Sequence, residues 1–205
     1  MKKISFAGLD VSRETFERLE AYFSILKKWN PVINLVAKST IENAWDRHFL
    51  DSAQVFALAP KESKSWVDIG SGGGFPGLVS AVLASEHAPE MEFTLVESDQ
   101  RKAEFLRTVA RDLGVPVTVI AKRIEDIPPL NADVISARAL AALPLLLNYA
   151  ERHLSESGQA IFQKGANVSD EIAESLETWR FTYEEYPSTT GQDAVTLLIG
   201  DIRRV

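Results

Sequence analysis

The sequence predicts an α/β fold in which a mostly parallel sheet is covered by helices, and three observations support this. From Ser65 onward, short apolar runs alternate with helix-compatible segments, which is the pattern of parallel strands joined by crossover helices. A glycine-rich segment, WVDIGSGGGFPG at 66–77, joins the first strand-like run to the first of these helices. The last two strand-like runs have no helix between them, so they predict an antiparallel hairpin at one sheet edge.

Two helices are predicted before the sheet. Ser12 is placed to cap a helix over residues 13 to about 29, whose apolar residues recur at helical spacing. Asn30-Pro31 is predicted to end this helix. A capping-box pattern that begins at Ser39 then predicts a second helix at about Thr40–Leu58.

The α/β core is predicted at 61–205, with 1–60 as a helical extension of the same single domain of 205 residues. Asp99 and Gly114 have the residue types that begin and end a helix between them. The predicted strands are 65–69, 92–97, 116–120, 133–136 and 159–163. The predicted helices are about 77–86, 100–113, 144–154 and 168–179. The terminal hairpin is predicted as Phe181–Tyr186 and Ala194–Ile199, joined by 187–193.

Composition limits the classes of protein that fit. The net charge of −7 argues against binding nucleic acid over the whole surface, so a nucleic-acid partner requires a local basic patch. Cysteine is absent, which excludes disulfides and cysteine-based zinc sites. No cluster has metal-ligand spacing, so no metal is expected. Lys2-Lys3 precede no apolar signal segment, and the longest apolar run, Ala139–Leu147, is too short to cross a bilayer, so a cytoplasmic protein is expected.

The glycine-rich segment predicts a nucleotide-binding turn. Its five glycines suit positions of positive φ or of close approach by a ligand. A strand, a tight turn and a helix start would direct free N–H groups and the positive end of the helix dipole to one place. Gly72, Gly74 and Gly77 also fit G-x-G-x-x-G, with Glu97 twenty residues later, so a nicotinamide dinucleotide remains an alternative ligand.

The D-I-G-S-G sequence that begins at Asp68 resembles motif I of the class I S-adenosylmethionine methyltransferases. In that family, the acid two residues before the first glycine lies near the methionine end of the cofactor, and the acid that ends the next strand takes the ribose hydroxyls. Asp68 and Glu97 match these two positions. The resemblance implies S-adenosylmethionine as cofactor and a Rossmann-like sheet with a C-terminal antiparallel hairpin.

Further stretches together resemble the RsmG (GidB) family, bacterial methyltransferases that modify guanine N7 in 16S ribosomal RNA. The stretches are R-H-F-L-D-S at 47–52, F-P-G at 75–77, E-S-D at 97–99 with R-K at 101–102, S-A-R-A at 136–139 and Q-K-G at 163–165, with N-L at 34–35. The resemblance implies that Gly70 and Phe75 contact the cofactor, and that Ile124 and Glu125 flank its adenine. It also implies that Arg138 lies beside the methionine end or the target base.

The expected site follows from the glycine turn and these resemblances. The expected cofactor-binding residues are Asp68, Gly70, Gly72, Gly74, Phe75, Glu97, Ile124, Glu125 and Arg138. Arg138 and Lys164 are the expected catalytic residues, in positioning roles. The expected RNA-binding residues are Arg47, His48, Arg101, Lys102, Arg123 and Lys164.

The expected partner is 16S ribosomal RNA or the 30S subunit, and the expected oligomeric state is a monomer. N7 of guanine carries a free lone pair, so its methylation requires alignment more than a base. His48 and Asp51, three residues apart on a predicted helix, either position the loop above the cofactor or pair with each other. A small-molecule methyltransferase, a nicotinamide-dependent oxidoreductase and a non-catalytic binding module remain the alternative functions.

Overall fold

A seven-stranded sheet forms the centre of the computed structural model, which describes residues 3–191 and 193–205. The sheet strands are β3 (Ser65–Ile69), β4 (Glu92–Val96), β5 (Thr118–Ile120), β6 (Ala132–Arg138), β7 (Leu154–Lys164), β8 (Trp179–Pro187) and β9 (Val195–Arg204). Their order across the sheet is β5-β4-β3-β6-β7-β9-β8. The first five run parallel, and β9 pairs antiparallel with both β7 and β8. The predicted mostly parallel sheet with a C-terminal antiparallel hairpin is confirmed.

Helices cover both faces of this sheet. They are α1 (Arg13–Ile33), α2 (Asp51–Leu58), α3 (Gly77–His87), α4 (Gln100–Leu113), α5 (Leu143–His153) and α6 (Val168–Leu176). Neighbouring residues of a strand point to opposite faces, and the core is therefore in two parts. Trp66 belongs to the part that packs against α1–α4, whereas Val67 belongs to the part that packs against α5 and α6.

The N-terminal region differs from the prediction at both ends of the first helix. A hairpin of three-residue strands, β1 (Ile4–Phe6) and β2 (Leu9–Val11), precedes α1, and strands this short carry no recognisable alternation. Ser12 caps α1 as predicted, since its hydroxyl accepts from the N–H of Thr15. The predicted end at Asn30-Pro31 is wrong, because the helix continues to Ile33 with Pro31 inside it.

The segment before α2 also differs from the prediction. One helix was expected from Thr40, but a 3₁₀ turn (Lys38–Thr40) is followed by bends and then by a π-helix (Trp45–Leu50) that leads into α2. No side-chain capping bond forms at the start of the 3₁₀ turn. Within the π-helix, Trp45 stacks on Phe49 with ring centroids 5.1 Å apart. This packing against the core outweighs the local capping signal, and π-turns of this kind are frequent at functional sites.

The elements of the α/β core agree with the prediction in type and differ at their ends. Asp99 caps α4 by accepting from two backbone N–H groups, and Gly114 ends it with φ of 63°. β7 begins at Leu154, directly after α5, and is longer than predicted; α6 ends at Leu176 rather than 179. Within the described part of the chain, no helix has both the length and the apolar character that crossing a membrane requires.

Candidate functional site

The candidate site lies above the carboxyl ends of β3 and β6, where the order of the parallel strands reverses. Open α/β sheets bind ligands at such a switch point. Two cavities meet here at Gly70, which lines both. The main cavity has about 460 Å³ and lies between the glycine turn and the segment before α2. The second cavity has about 260 Å³ and lies towards β4 and β5.

The glycine turn is held in place by the strand that follows it. The N–H groups of Gly70 and Ser71 both donate to the carbonyl of Val96 at the end of β4. One carboxylate oxygen of Glu97 accepts from Gly72 N at 2.8 Å, and the other accepts from the N–H of Asp99 at 2.8 Å. Glu97 therefore joins the turn to the start of α4, and its two oxygens keep further capacity to accept hydrogen bonds.

Several glycines of the turn are required by its geometry. Gly70, Gly72 and Gly74 all have positive φ, between 53° and 87°. A Cβ on Gly74 would overlap the hydroxyl of Tyr22 in α1, which donates to the carbonyl of Gly73. A Cβ on Gly72, in contrast, would meet only the Gly70 carbonyl, at 3.7 Å. Gly74 is thus fixed by packing below the turn, whereas Gly72 opens into the main cavity.

Asp68 lies beneath the turn, and it does not line either cavity. Its side chain is fully buried, and Oδ1 accepts from the Ser136 hydroxyl at 2.6 Å. That hydroxyl in turn accepts from the indole N–H of Trp66 at 2.8 Å. Burial raises the pKa of Asp68 to about 6, and hydrogen bonds from Ser136 and Ser71 oppose this rise. The expected direct contact between Asp68 and the cofactor is not supported by this placement; Asp68 supports the turn from below.

The loop after β6 lines both cavities. Ala139 adopts a positive φ of 51°, a conformation that is uncommon for residues with a side chain. The next residue, Leu140, lies on Gly70, since a Cβ built on that glycine would be 2.6 Å from a Leu140 methyl group. Leu140 is nevertheless 39% exposed. It therefore covers Gly70, the residue that both cavities share, from the side of the second cavity.

The second cavity contains Ile124 and Glu125, which the family resemblance implies flank the adenine. Ile124 is 6% exposed and forms part of its apolar wall, and Glu125 lies at its rim. Glu125 accepts from the hydroxyl of Tyr149 in α5 at 2.6 Å, and this bond lowers the pKa of Glu125. Leu145 adds exposed apolar surface to the same cavity. This apolar wall with a polar rim suits a flat heterocycle.

Arg138 enters the main cavity from the end of β6, and neutral groups hold it. Its guanidinium donates to Nδ1 of His48 at 2.9 Å and lies 4.8 Å from the centre of the Phe75 ring. Because guanidinium has no acceptor, His48 must accept at Nδ1 and carry its proton on Nε2, which then donates to Thr40 Oγ1 at 3.0 Å. Burial, followed by the charge of Arg138, lowers the pKa of His48 to about 3. His48 is therefore neutral at physiological pH.

Phe75 supports this arrangement from inside the protein. It is 3% exposed, and its ring stacks on Tyr22 with centroids 5.5 Å apart. The rings of His48 and Phe49 pack around it at 5.2 and 5.1 Å. Phe75 thus lines the cavity with little free surface and acts mainly as a platform for Arg138.

Asp51 joins three parts of the chain at the other side of the main cavity. Its carboxylate accepts from the Ser188 hydroxyl at 2.7 Å and from Nε2 of Gln163 in β7. The hydroxyl of Thr190 adds a longer contact at 3.4 Å. Asp51 makes no hydrogen bond to His48, so the predicted alternative in which these two side chains pair with each other is wrong. Asp51 instead connects α2 to the β8–β9 loop and to the end of β7.

Lys164 lies behind the loop after β6. Its ammonium group is 2.6 Å from Glu171 of α6 and donates to the carbonyl of Ala141 at 3.0 Å, and its side chain is 8% exposed. Glu171 also accepts from the N–H of Leu143 at 2.6 Å. Lys164 is thus engaged in holding this loop, and the placement does not support the expected contact with RNA.

Four of the expected RNA-binding cations remain at the surface of this edge. Arg47 and Lys102 line the main cavity, and Arg123 lines the second cavity. Arg101 is exposed at the start of α4, where its contact with Asp99 is long at 3.4 Å. Such exposed ion pairs contribute little to stability, so the cations are available to a partner.

Some residues of this site were not found from the sequence. Tyr22 has the spacing of the apolar stripe of α1, but nothing in the sequence shows that its hydroxyl reaches the glycine turn. Ser188 and Leu140 stand in stretches without a motif, and their roles depend on long-range contacts. In the described residues, no three His, Cys, Asp or Glu side chains are grouped as metal ligands.

Comparisons with known proteins agree with this geometry. A family model described as GidB, rRNA small subunit methyltransferase G, matches residues 15–196. A ribosomal RNA small subunit methyltransferase G of Ruegeria sp. (strain TM1040) is 55% identical, with 96% of each chain covered. One of the same name from Cereibacter sphaeroides (strain ATCC 17029) is 47% identical over the whole of both chains. Among solved structures, cofactor-bound Rv0187 from MTB has the same fold, with a TM-score of 0.60, 15% identity, and 90% and 89% of the two chains covered.

Proposed function

Because the chain belongs to the GidB family of rRNA small subunit methyltransferases, we propose that it transfers the methyl group of S-adenosylmethionine to N7 of a guanine in 16S ribosomal RNA. The observation that carries the choice of N7 is the pairing of Arg138 with a neutral His48. This pairing occupies the one imidazole nitrogen that could remove a proton. A reaction at N7 needs no proton removed, whereas a reaction at an exocyclic amine does.

The two cavities suit the two halves of the cofactor. The adenine fits the second cavity beside Ile124 and Glu125, and the methionine portion fits the main cavity beside Gly72 and Arg138. The ribose then lies above the turn, within reach of Glu97, whose oxygens have remaining lone pairs. S-adenosylmethionine bound in this way would supply the methyl group as a sulfonium, placed for in-line attack by N7. Binding both reactants in this orientation lowers the barrier by roughly 7–11 kcal/mol.

The RNA approaches, in this proposal, over the exposed cations at the carboxyl edge of the sheet. Arg47, Arg101, Lys102 and Arg123 define this surface, which we call the basic edge. The target base enters the main cavity after leaving its stack, as bases do in enzymes that modify them. The protein acts as a monomer and in the compartment of the ribosomal subunits, the cytoplasm.

The test is transfer of a tritiated methyl group from S-adenosylmethionine to 30S subunits from cells that lack this activity. The expected product, after digestion to nucleosides, is 7-methylguanosine, and subunits from cells with the activity should accept no label. Naked 16S RNA serves as the second substrate and shows whether assembly is needed. Labelling of a different nucleoside would contradict the assignment of N7.

A small-molecule methyltransferase and a nicotinamide-dependent oxidoreductase are not favoured by the comparisons. The basic edge gives a further reason against a small substrate, because its cations extend over both cavities and the surface beside them. The same transfer assay separates these functions when ribosomal subunits, in excess, compete with metabolites for the labelled methyl group. The label should appear in the RNA and not in a metabolite.

A further inference from the structure

The loop between β8 and β9 is held against α2 by hydrogen bonds to two side chains of that helix. Gln54 uses both ends of its amide: Nε2 donates to the Pro187 carbonyl at 2.7 Å, and Oε1 accepts from the N–H of Thr189 at 3.2 Å. Asp51, three residues earlier in α2, accepts from the Ser188 hydroxyl at 2.7 Å. Residues three apart in a helix face the same way, so one face of α2 fixes this loop.

Open space lies behind this loop. A cavity of about 780 Å³ is bounded by the loop, by α2 and by the β1–β2 turn, and Gln54 and Thr190 both line it. Loops that connect strands are ordinarily among the more mobile parts of a fold. Because the space behind the loop is open, the hydrogen bonds to α2 set the position of the loop relative to the sheet.

The front of the loop forms one wall of the main cavity, which we call the β8–β9 wall. It consists of small and hydroxyl residues, which are Ser188, Thr190, Gly191 and Ala194. Asp51 beside them is 8% exposed, and its carboxylate accepts from Ser188 and from Gln163. The β8–β9 wall therefore presents short side chains to the cavity, and two donors compensate the charge of Asp51.

The order of the strands puts the β8–β9 wall on the far side of the main cavity from the adenine site. The second cavity lies towards β4 and β5, and the glycine turn follows β3. Next across the sheet come β6, which ends at Arg138, and then β7 and β9. Ala194 directly precedes β9, whose Val195 pairs with Lys164 at the end of β7. A cofactor that runs from the second cavity to Gly72 therefore directs its methionine portion towards the β8–β9 wall.

We infer that the β8–β9 wall holds the target base in line with the methyl group, and that Gln54 is a positioning residue for methyl transfer because it fixes this wall. This inference rests on the proposed function. Gln54 does not line the main cavity, so it acts through the loop and not by contact with either reactant. Short side chains leave room for a flat base between the wall and the cofactor. In-line attack requires close alignment, and a displacement of about 1 Å can lower the rate about a hundredfold.

The test removes both hydrogen bonds of Gln54 and separates the rate of transfer from binding. Single-turnover methyl transfer to unmodified 30S subunits is measured for the wild type and for Gln54→Leu, with saturating S-adenosylmethionine and over a range of subunit concentrations. Calorimetry with S-adenosylhomocysteine gives the cofactor affinity of each protein. Asn148→Leu is the matched control, because the Asn148 amide accepts from Arg204 at 3.1 Å and so joins α5 to the open end of the same hairpin.

Gln54→Leu should lower the transfer rate at saturating subunit concentration at least about tenfold, because the base is no longer aligned. Its half-saturating subunit concentration should stay within about threefold of the wild type, since phosphate contacts at the basic edge supply most of the affinity. Its affinity for S-adenosylhomocysteine should not change. Asn148→Leu should match the wild type in all three measurements.

Several results overturn the inference. They are an unchanged saturating rate in Gln54→Leu, an equal loss of rate in Asn148→Leu, a change confined to the half-saturating subunit concentration, and a parallel loss of cofactor affinity. Should Gln54→Leu fail to fold, Gln54→Glu decides the question with the same expected result. It keeps an acceptor for the N–H of Thr189 but places a carboxylate against the Pro187 carbonyl. Absence of transfer to 30S subunits by the wild type overturns the proposed function itself.

Discussion

At the scale of single residues, Asp68 places a carboxyl group in the apolar interior below the glycine turn. Burial raises its pKa from 3.8 to about 6. Because the pKa of Asp68 is raised in the folded state, its contribution to the free energy of unfolding is complete below about pH 4. That contribution is lost as the pH rises through 6. Asp68→Asn has no such titration. Its stability relative to the wild type should therefore rise by roughly 3 kcal/mol between pH 4 and pH 7.

Urea denaturation at intervals from pH 4 to pH 7 measures this difference. Asp133→Asn is the control, because backbone N–H groups of Lys64 and Ser65 donate to Asp133 and its pKa is lowered from 3.8. The contribution of a lowered pKa is complete above the unfolded value, so the stability of Asp133→Asn relative to the wild type should stay nearly constant from pH 4 to pH 7. Parallel stability curves for Asp68→Asn and the wild type would contradict the assigned environment of Asp68.

Gly72 tests the assignment of the main cavity to the cofactor. A valine there strains a backbone with φ of 53° and projects into the cavity. Gly72→Val should therefore abolish measurable binding of S-adenosylhomocysteine in calorimetry. Gly114→Val is the control, since Gly114 has φ of 63° with open space around it, at the end of α4. If a folded Gly72→Val protein binds with unchanged affinity, the cofactor lies elsewhere.

Individual residues were predictable where a local rule determines them. The glycines of the turn and the Asp99 cap follow from strand, turn and helix signals that lie within a few residues of one another. The burial of Asp68 and the pairing of Lys164 with Glu171 depend on elements distant in the chain. A sequence gives the types of these side chains but not the neighbours that decide their exposure.

At the scale of elements, α1 contacts the glycine turn directly through Tyr22. This residue is fully buried, and burial raises its pKa well above 10, so its hydroxyl remains a donor to the Gly73 carbonyl. Tyr22→Phe leaves that carbonyl without its partner and should destabilise the protein by about 1–3 kcal/mol. The affinity for S-adenosylhomocysteine should fall as well, because the turn is less firmly held.

Chemical denaturation and calorimetry measure the two effects of Tyr22→Phe. Tyr183→Phe, on the exposed part of β8, is the control and should change stability by less than about 0.5 kcal/mol. A loss of stability in Tyr22→Phe without any loss of affinity would mean that the turn keeps its shape without α1.

Elements of the core were predictable in type, because alternating strands and crossover helices leave a periodic pattern. The helices outside the core were less predictable. Pro31 lies within the last turn of α1, where the helix tolerates it, and the π-helix at Trp45–Leu50 follows from aromatic packing that the capping pattern at Ser39 does not contain. Tertiary contacts outweigh local signals in this region.

At the scale of the whole molecule, two features of charge make opposite predictions about RNA. The acidic net charge argues against RNA binding, whereas the basic edge predicts local binding. If binding is local, each phosphate contact contributes about 0.7–0.9 to the slope of log affinity against log salt. Replacing Arg101, Lys102 and Arg123 by Gln should therefore lower that slope by roughly two. Filter binding of 16S RNA or 30S subunits over a range of salt concentrations measures it.

The matched control removes the same charge at the opposite edge of the sheet. Three exposed cations lie there. Lys61 and Lys64 precede the amino end of β3, and Arg111 lies near the end of α4. Their replacement by Gln should leave the slope within about 0.3 of the wild type, since no local contacts with phosphate are lost there. Equal effects of the two triple variants would show that only the total charge matters.

The contact of Leu140 with Gly70 has a consequence for the kinetics of cofactor binding. Gly70 lines both cavities and Leu140 covers it, so we expect that a ligand spanning the two cavities displaces the Leu140 side chain. In stopped-flow experiments, the observed rate of S-adenosylhomocysteine binding should therefore rise with concentration and then reach a plateau, at the rate at which the loop opens. Leu140→Ala should raise or remove that plateau. In a cell rich in cofactor, the rate of cofactor binding would then be limited by how often the loop moves. The frequency of collisions between protein and cofactor would not limit it.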